Sequence, residues 1–197
     1  ISFPYKWEKD KVILNNVKAC DSVVFKNDLG QYLFITSLMD EKSTNERKNF
    51  CYVHNVMYEL DEELNIIPHS KKELSEGDYG IRNAGKVIKT KNNLIRTAQN
   101  CTEGMYGKGL VFWALDSYNP YKEHELANID YEKARNHITH IDHNGKIEGI
   151  HTYNCSAHYE IIDFMIYNEL PVYYKLYYFL GARIFKIITK IEGFIKS

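Results

Sequence analysis

Strand–turn–strand units recur along this chain, and that recurrence limits its fold more than any single motif does. Residues 21–25 (DSVVF) and 31–36 (QYLFIT) flank a turn at Asn27-Asp28-Leu29-Gly30. Residues 87–88 and 94–95 flank Lys91-Asn92-Asn93, and residues 137–151 hold a third unit around Asp142-His143-Asn144-Gly145. The turns near Gly30, Asn92 and Gly145 lie 62 and 53 residues apart. Apolar, β-branched and aromatic runs bounded by Gly, Asn and Asp read as strands joined by tight turns. Further strands are predicted over residues 50–60, 109–116 with 121–129 as partner, and 159–165, while the polar residues 40–49 read as a loop. Repetition at ~40–50 residues or a little more separates a propeller of four-stranded blades from a sandwich. The expected fold is therefore all-β, a partial β-propeller over residues 1–168. About three blades fit there, and closure takes at least ~4. The expectation follows that this is the carboxy-terminal part of a longer domain, cut away upstream of Ile1.

The tail changes character. Over residues 173–195, Leu176, Leu180, Ile184, Ile187, Ile188, Ile191, Phe194 and Ile195 fall at helical spacing, with Arg183, Lys186 and Lys190 opposite. Too charged for a membrane span, residues 169–197 are predicted to form a basic amphipathic helix. It would lie on an anionic membrane surface, or pack on its own domain or a partner protein. Residues 171–197 carry five Lys or Arg against Glu192, so the remainder is acidic although the whole chain is at −1. No basic stripe crosses the body, which argues against nucleic acid.

Four cysteines (Cys20, Cys51, Cys101, Cys155) lie far apart without a CxxC pair. They read as reduced thiols of a cytoplasmic protein, peripheral at the membrane if the tail binds lipid. His137, His140 and His143 would alternate faces on a strand, so no metal site is expected, and no cofactor is called for. Two glycosylation sequons, at Asn100 and Asn154, carry little weight without a signal peptide.

The densest set of polar groups lies in residues 76–106, EGDYGIRNAGKVIKTKNNLIRTAQNCTEGMY. Arg82 and Arg96 each offer a planar fork of donors to a carboxylate, a phosphate or vicinal hydroxyls. Gln99 and Asn100 supply amide donors and acceptors suited to sugar hydroxyls. Along its strand Arg96 shares a face with Leu94 and Ala98, so it faces either a ligand funnel or the interior. Burial would require a carboxylate partner, with Asp21 or Asp78 the candidates. His151 either hydrogen-bonds a ligand or is satisfied inside the fold. Trp7, Trp113 and Tyr106 offer a stacking platform, although its apolar neighbours suit Trp113 to a core.

These residues carry a family resemblance. The run Gly77-Asp78-Tyr79-Gly80-x-Arg82-x-Ala84-Gly85, then Leu94-x-Arg96-x-x-Gln99-Asn100-Cys101, then Tyr106-Gly107, resembles the amino-terminal domain of glucosamine inositolphosphorylceramide transferases. Gly149-x-His151-Thr152-x-Asn154 with Tyr159-Glu160-x-Ile162-Asp163 resembles that family's closing blade, and Ala19-Cys20-Asp21-x-Val23-Val24-Phe25 an earlier one. The match spans roughly residues 1–165. It implies a five-bladed propeller akin to the arabinanase, xylosidase and invertase-like glycoside hydrolases, and work in glycan or glycolipid assembly.

Glycoside hydrolysis normally takes two carboxyls across the scissile bond. By the resemblance, Asp21 stands where the pKa-setting Asp would be and is the best catalytic candidate. Arg82 and Asn83 stand where the acid Glu is expected, and neither donates a proton at neutral pH. Glu76, Asp78 and Glu123 are not placed by their spacing. Two readings remain. One is a non-hydrolytic module binding a sugar or glycolipid through Asp21, Asp78, Arg82, Arg96, Gln99, Asn100 and His151. The other is a carbohydrate-active enzyme using Asp21 and a carboxylate supplied from elsewhere.

Overall fold

Those strands predicted from alternation that fall within the described residues are present, arranged as antiparallel meanders. The computed structural model describes residues 10–39, 52–136 and 146–166, with the backbone of Tyr167. In the first sheet β1 (Ala19–Lys26), β2 (Tyr32–Leu38), β3 (Val53–Leu60) and β4 (Lys72–Gly77) pair in chain order. In the second, β5 (Tyr79–Asn83) pairs with β7 (Leu94–Asn100), then β8 (Gly109–Tyr118) and β9 (Tyr121–Asp130). The short β6 (Ile88–Lys89) also pairs with β7. A third sheet is seen as β10 (Lys146–Cys155) with β11 (Glu160–Tyr167). Residues 10–165, apart from Lys146 and the stretches outside the description, belong to one compact unit. A second unit takes in residues 140–146 and 166–197 and is described at Lys146, Ile166 and Tyr167.

Local chemistry sets the turns. Asn27 Oδ1 accepts from the backbone N–H of Leu29 (3.0 Å) and Gln31 (2.9 Å), and Gly30 closes the turn at φ +80°. At the β6–β7 turn the Thr90 hydroxyl oxygen accepts from the backbone of Asn93 (3.0 Å), while Thr90 N–H donates to Asn93 O (2.9 Å).

Three elements differ from the prediction, one of them β5, which lies in the Gly-rich run ahead of the β6–β7 hairpin. β4 (KELSEG) is mostly polar and half-exposed, so it carries no alternation to read, yet it completes the first sheet. Between β9 and β10 lies a single-turn helix, α1 (Tyr131–Arg135), whose N-cap Asp130 accepts from the Lys133 backbone N–H at 2.8 Å. Five residues are too few for a periodicity to show. The turn at residues 142–145, the loop at 40–49, the three spaced histidines, Trp7 and the whole tail lie outside the described residues, as does the division at 168.

The sheets pack face to face in sequence. Val23, Phe25, Leu33, Ile35 and Met57 of the first meet Leu94 and Leu115 of the second in one apolar cluster. Ala84 and Leu110 of the second meet Ile150 of the third in another, joined by Phe112, Tyr153 and Phe164. β2 is buried on both faces because Phe34 and the other side of its sheet pack with Val56, Tyr58 and Leu60. Burying one such side chain contributes roughly 1.5–3 kcal/mol.

Between the second and third sheets the backbone itself makes the joint. Tyr153 N–H donates to Ala84 O (2.7 Å), Ile150 N–H to Gly107 O (2.7 Å) and Lys86 N–H to Asn154 Oδ1 (3.0 Å). Gly85 sits in this joint at φ +141°, and a Cβ there would run into the Tyr153 carbonyl. Gly30, by contrast, has open space around it and faces only the left-handed backbone cost of roughly 1–2 kcal/mol. Gly85→Ala is therefore expected to lower the urea midpoint clearly more than Gly30→Ala does. Equal shifts would show that the joint between the sheets is soft.

Candidate functional site

β1 lies beside β5, Ala84 just after β5 is hydrogen-bonded to β10, and polar side chains cluster along that line. β1 is irregular here: its register with β2 shifts between Cys20 and Val23, and Asp21 takes φ +52°. Asp tolerates this left-handed conformation better than most residues. The bulge turns the Asp21 carboxylate to β5, where it accepts from Arg82 Nε at 2.6 Å, both side chains being largely buried. The Asp21 carbonyl accepts from Asn83 Nδ2 at 2.7 Å. Burial, then the Asp21 charge, pushes the neighbouring Cys20 thiol up to about 11.

Asp21, Ser22, Val23, Val24, Asn83, Gly85, Lys86 and Thr152 line an open pocket of about 390 Å³. Among these residues Asp21 is the only carboxylate, and it already holds a guanidinium. A two-carboxyl hydrolysis therefore has no second member in the described lining.

From Arg82 the polar line continues. Its Cζ stands 5.2 Å over the Tyr106 ring. The Tyr106 hydroxyl makes a short hydrogen bond with His151 Nε2, and His151 Nδ1 meets Asp163 Oδ2 at 3.1 Å. Asp163 Oδ1 accepts from the Thr152 backbone N–H. Burial works to raise the Asp163 carboxyl, but the Thr152 and His151 hydrogen bonds outweigh it and hold it below the usual range.

Arg96 is placed differently from Arg82. It is 1% exposed, and all five of its N–H groups are engaged inside the chain. Nε and Nη2 grip Glu123 at 2.9 and 2.6 Å; Nη2 also donates to Gly80 O (2.9 Å), and Nη1 to Ile81 O (3.1 Å) and Asn83 Oδ1 (3.3 Å). Its carboxylate is thus Glu123, not the expected Asp21 or Asp78. The reason lies in β9, where Tyr121 and Glu123 point to one face and the Tyr121 hydroxyl donates to Glu123 Oε2 at 2.7 Å. Burial pushes that hydroxyl well up against the pull of Arg96.

Gln99 is also buried; its Nε2 donates to Asn83 O at 3.3 Å and its Oε1 accepts from Cys101 Sγ at 3.6 Å. Asn100 Oδ1 accepts from the Thr102 N–H (3.1 Å) and hydroxyl (2.9 Å) where the chain enters the turn Thr102–Gly104. Asp78, between β4 and β5, gives its carbonyl to the Cys101 N–H at 2.7 Å. Trp113 is half-buried on Gly80, its Nε1 donating to Gly80 O at 3.0 Å. Asp21, Arg82 and His151 thus lie along one polar line, while Arg96 and Gln99 lie within the interior. In the sequence Thr152 and Asp163 figure only as parts of the family motif, with no role, and Glu123 stays unplaced because its spacing does not show which strand it will meet.

The family model described as Glucosamine inositolphosphorylceramide transferase 1, N-terminal, matches residues 1–152. The chain belongs to this family. No curated protein and no solved structure matches it. The family's name ties this β-rich domain to a glycolipid transferase, with β1 through most of β10 inside the matched span.

Removing one partner of a buried ion pair leaves the other charge uncompensated, at a cost of about 3–5 kcal/mol. Arg96→Ala and Glu123→Ala should each cost about that much in chemical denaturation, while the double variant costs less than their sum. Simple additivity would mean the two groups do not act on each other. At Cys20, a thiol raised to about 11 leaves roughly a thousandth as thiolate at pH 8. Iodoacetamide should accordingly modify Cys20 far more slowly in the folded chain than after unfolding in urea, read by peptide mass.

Proposed function

We propose that this chain is a carbohydrate-recognising part of a five-bladed propeller that works in glycolipid or surface-polysaccharide assembly without two-carboxylate hydrolysis. One observation carries the reading: the pocket where the sheets' first strands meet presents Asp21 already bound to Arg82, with Asn83 beside it. Such a pocket offers acceptors and donors for hydroxyls and an amide edge, but no proton donor opposite a base. The propeller geometry is supported by a four-stranded and a five-stranded antiparallel sheet in sequence with β1 beside β5, and the likeness to glycoside hydrolases by the family resemblance. The family name supports a glycolipid or another glycan as ligand.

The second reading is a glycosyl-active enzyme in which Asp21 works with a carboxylate from elsewhere. The left-handed backbone at Asp21 favours it, because strained positions gather at working sites. The basic tail supports a peripheral place on a cytoplasmic membrane surface, or a protein contact through residues 173–195.

Calorimetric titration with glycans of the inositol phosphate and acidic hexose classes tests the recognition reading. Arg82→Gln should weaken binding at least about tenfold, the equivalent of one charge-assisted hydrogen bond. Binding that survives Arg82→Gln and Lys86→Ala alike would place recognition elsewhere. Aryl glycoside turnover that disappears with Asp21→Asn would favour the enzyme. Flotation with phosphatidylserine vesicles should lose the protein when residues 171–197 are removed.

A further inference from the structure

The Tyr106–His151–Asp163 line has a chemical order of its own. Asp163, held ionised by the Thr152 N–H, can only accept a hydrogen bond, so His151 Nδ1 carries the proton that faces it. In the neutral ring Nε2 is then the basic nitrogen, and it lies against the Tyr106 hydroxyl. A hydroxyl on a base, with the base oriented by a third group, is the arrangement that activates a side-chain nucleophile. Tyrosine serves in that role in some glycosidases. Two further features suit it here. The Arg82 guanidinium stands over the ring at 5.2 Å and links the line to Asp21. Thr152, whose N–H fixes Asp163, also lines the pocket beside Asp21. His151 and Asp163 are both partly open to solvent, so a ligand can reach the line.

We propose that Tyr106 is a nucleophile, His151 its general base and Asp163 the positioning residue, forming a relay that can receive a glycosyl group on Tyr106 Oη. The glycosyl class rests on the carbohydrate reading above; the activation of Tyr106 does not. In the forward step Oη attacks the anomeric carbon of a glycoside and the bond to the leaving oxygen breaks, its electron pair staying on that oxygen. The phenol proton passes to Nε2 and on to the leaving oxygen. In the return step the hydroxyl of an acceptor sugar, lipid or water attacks the same carbon, the bond to Oη breaks with its electron pair staying on Oη, and the acceptor's proton passes through Nε2 to Oη. No oxidant, metal or second carboxylate is needed, which fits a pocket whose described lining lacks the usual pair.

The relay is tested on the full chain with 4-(2-aminoethyl)benzenesulfonyl fluoride, a probe that needs no knowledge of the sugar. Attack by the Tyr106 hydroxyl forms the S–O bond and expels fluoride as the phenol proton passes to His151 Nε2. Labelling of each tyrosine is followed by peptide mass, with Tyr159, 73% exposed and outside the relay, as internal standard. Tyr106 should label at least about tenfold faster than Tyr159, a floor below the ~10²–10⁴-fold of general-base assistance, and His151→Gln should remove that advantage. Asp163→Asn should also reduce it and Asp163→Glu restore part of it, with Tyr159 labelling unchanged in both. Tyr106 reacting no faster than Tyr159 in the unaltered chain overturns the relay, whatever the variants do. So does a rate at Tyr106 indifferent to His151→Gln. Glycan titration of Tyr106→Phe is the second arm. Fast labelling with no glycan binding by the unaltered chain keeps the relay and removes the carbohydrate reading. Glycan binding without fast labelling does the reverse.

Discussion

The contact between Arg96 and the open backbone of β5 is the constraint on which the rest of the structure depends. β5 drifts out of register with β7 between Tyr79 and Asn83, so its carbonyls at Gly80 and Ile81 leave the ladder. Buried carbonyls without donors are costly. Arg96 fills the gap with its terminal nitrogens, Trp113 adds a donor to Gly80, and Asn55 Nδ2 reaches Ile81 O from the first sheet at 2.5 Å. The positive charge this brings inside is neutralised by Glu123 from the far strand of the same sheet. One side chain therefore ties β5, β7 and β9 together and frees β5 to bend toward β1.

That bend is what makes a site. Because β5 is held from behind, Arg82 and Asn83 project across to Asp21, and the bulge in β1 presents Asp21 to meet them. A supporting layer of Ser22, Thr36, Ser37 and Asn55 is hydrogen-bonded throughout: the Ser22 and Thr36 hydroxyls share a bond at 2.8 Å, and Ser37 donates to Asn55 at 2.7 Å. Satisfied polar groups of this kind hold a geometry where an apolar filling would allow repacking. The same economy runs on to the third sheet, where backbone bonds at Ala84 and Gly107 seat β10 and so set His151 against Tyr106. Membership of a glycolipid-transferase family gives this polar line a chemical context, but its arrangement stands on the side chains alone.

Much of the strand order was legible. Alternation with β-branched and aromatic residues marked β1, β2, β3, β7, β8 and β9, and Asn27 and Gly30 marked their turn, because burial on a pleated surface demands that pattern. β4 was illegible because its residues are half-exposed and charged, so nothing alternates. The two arginines looked alike in sequence. Their separation into a buried strut and a pocket-side partner of Asp21 depended on which strands came to lie beside them. The Arg96 partner was missed for the same reason: Glu123 is 27 residues away, and only the β7–β8–β9 pairing brings it near.

By itself, the sequence determined a mostly β body of short antiparallel meanders, its turn residues, its family, and a concentration of Arg and amide groups within residues 76–106. Those follow from local patterns that any chain carrying them must express. Only the tertiary structure decided which polar groups are locked inside the fold and which lie beside an open pocket. Burial and pairing are properties of the space between sheets: the Arg96 guanidinium is a strut where carbonyls lack donors, and that of Arg82 is the partner of a carboxylate at the pocket.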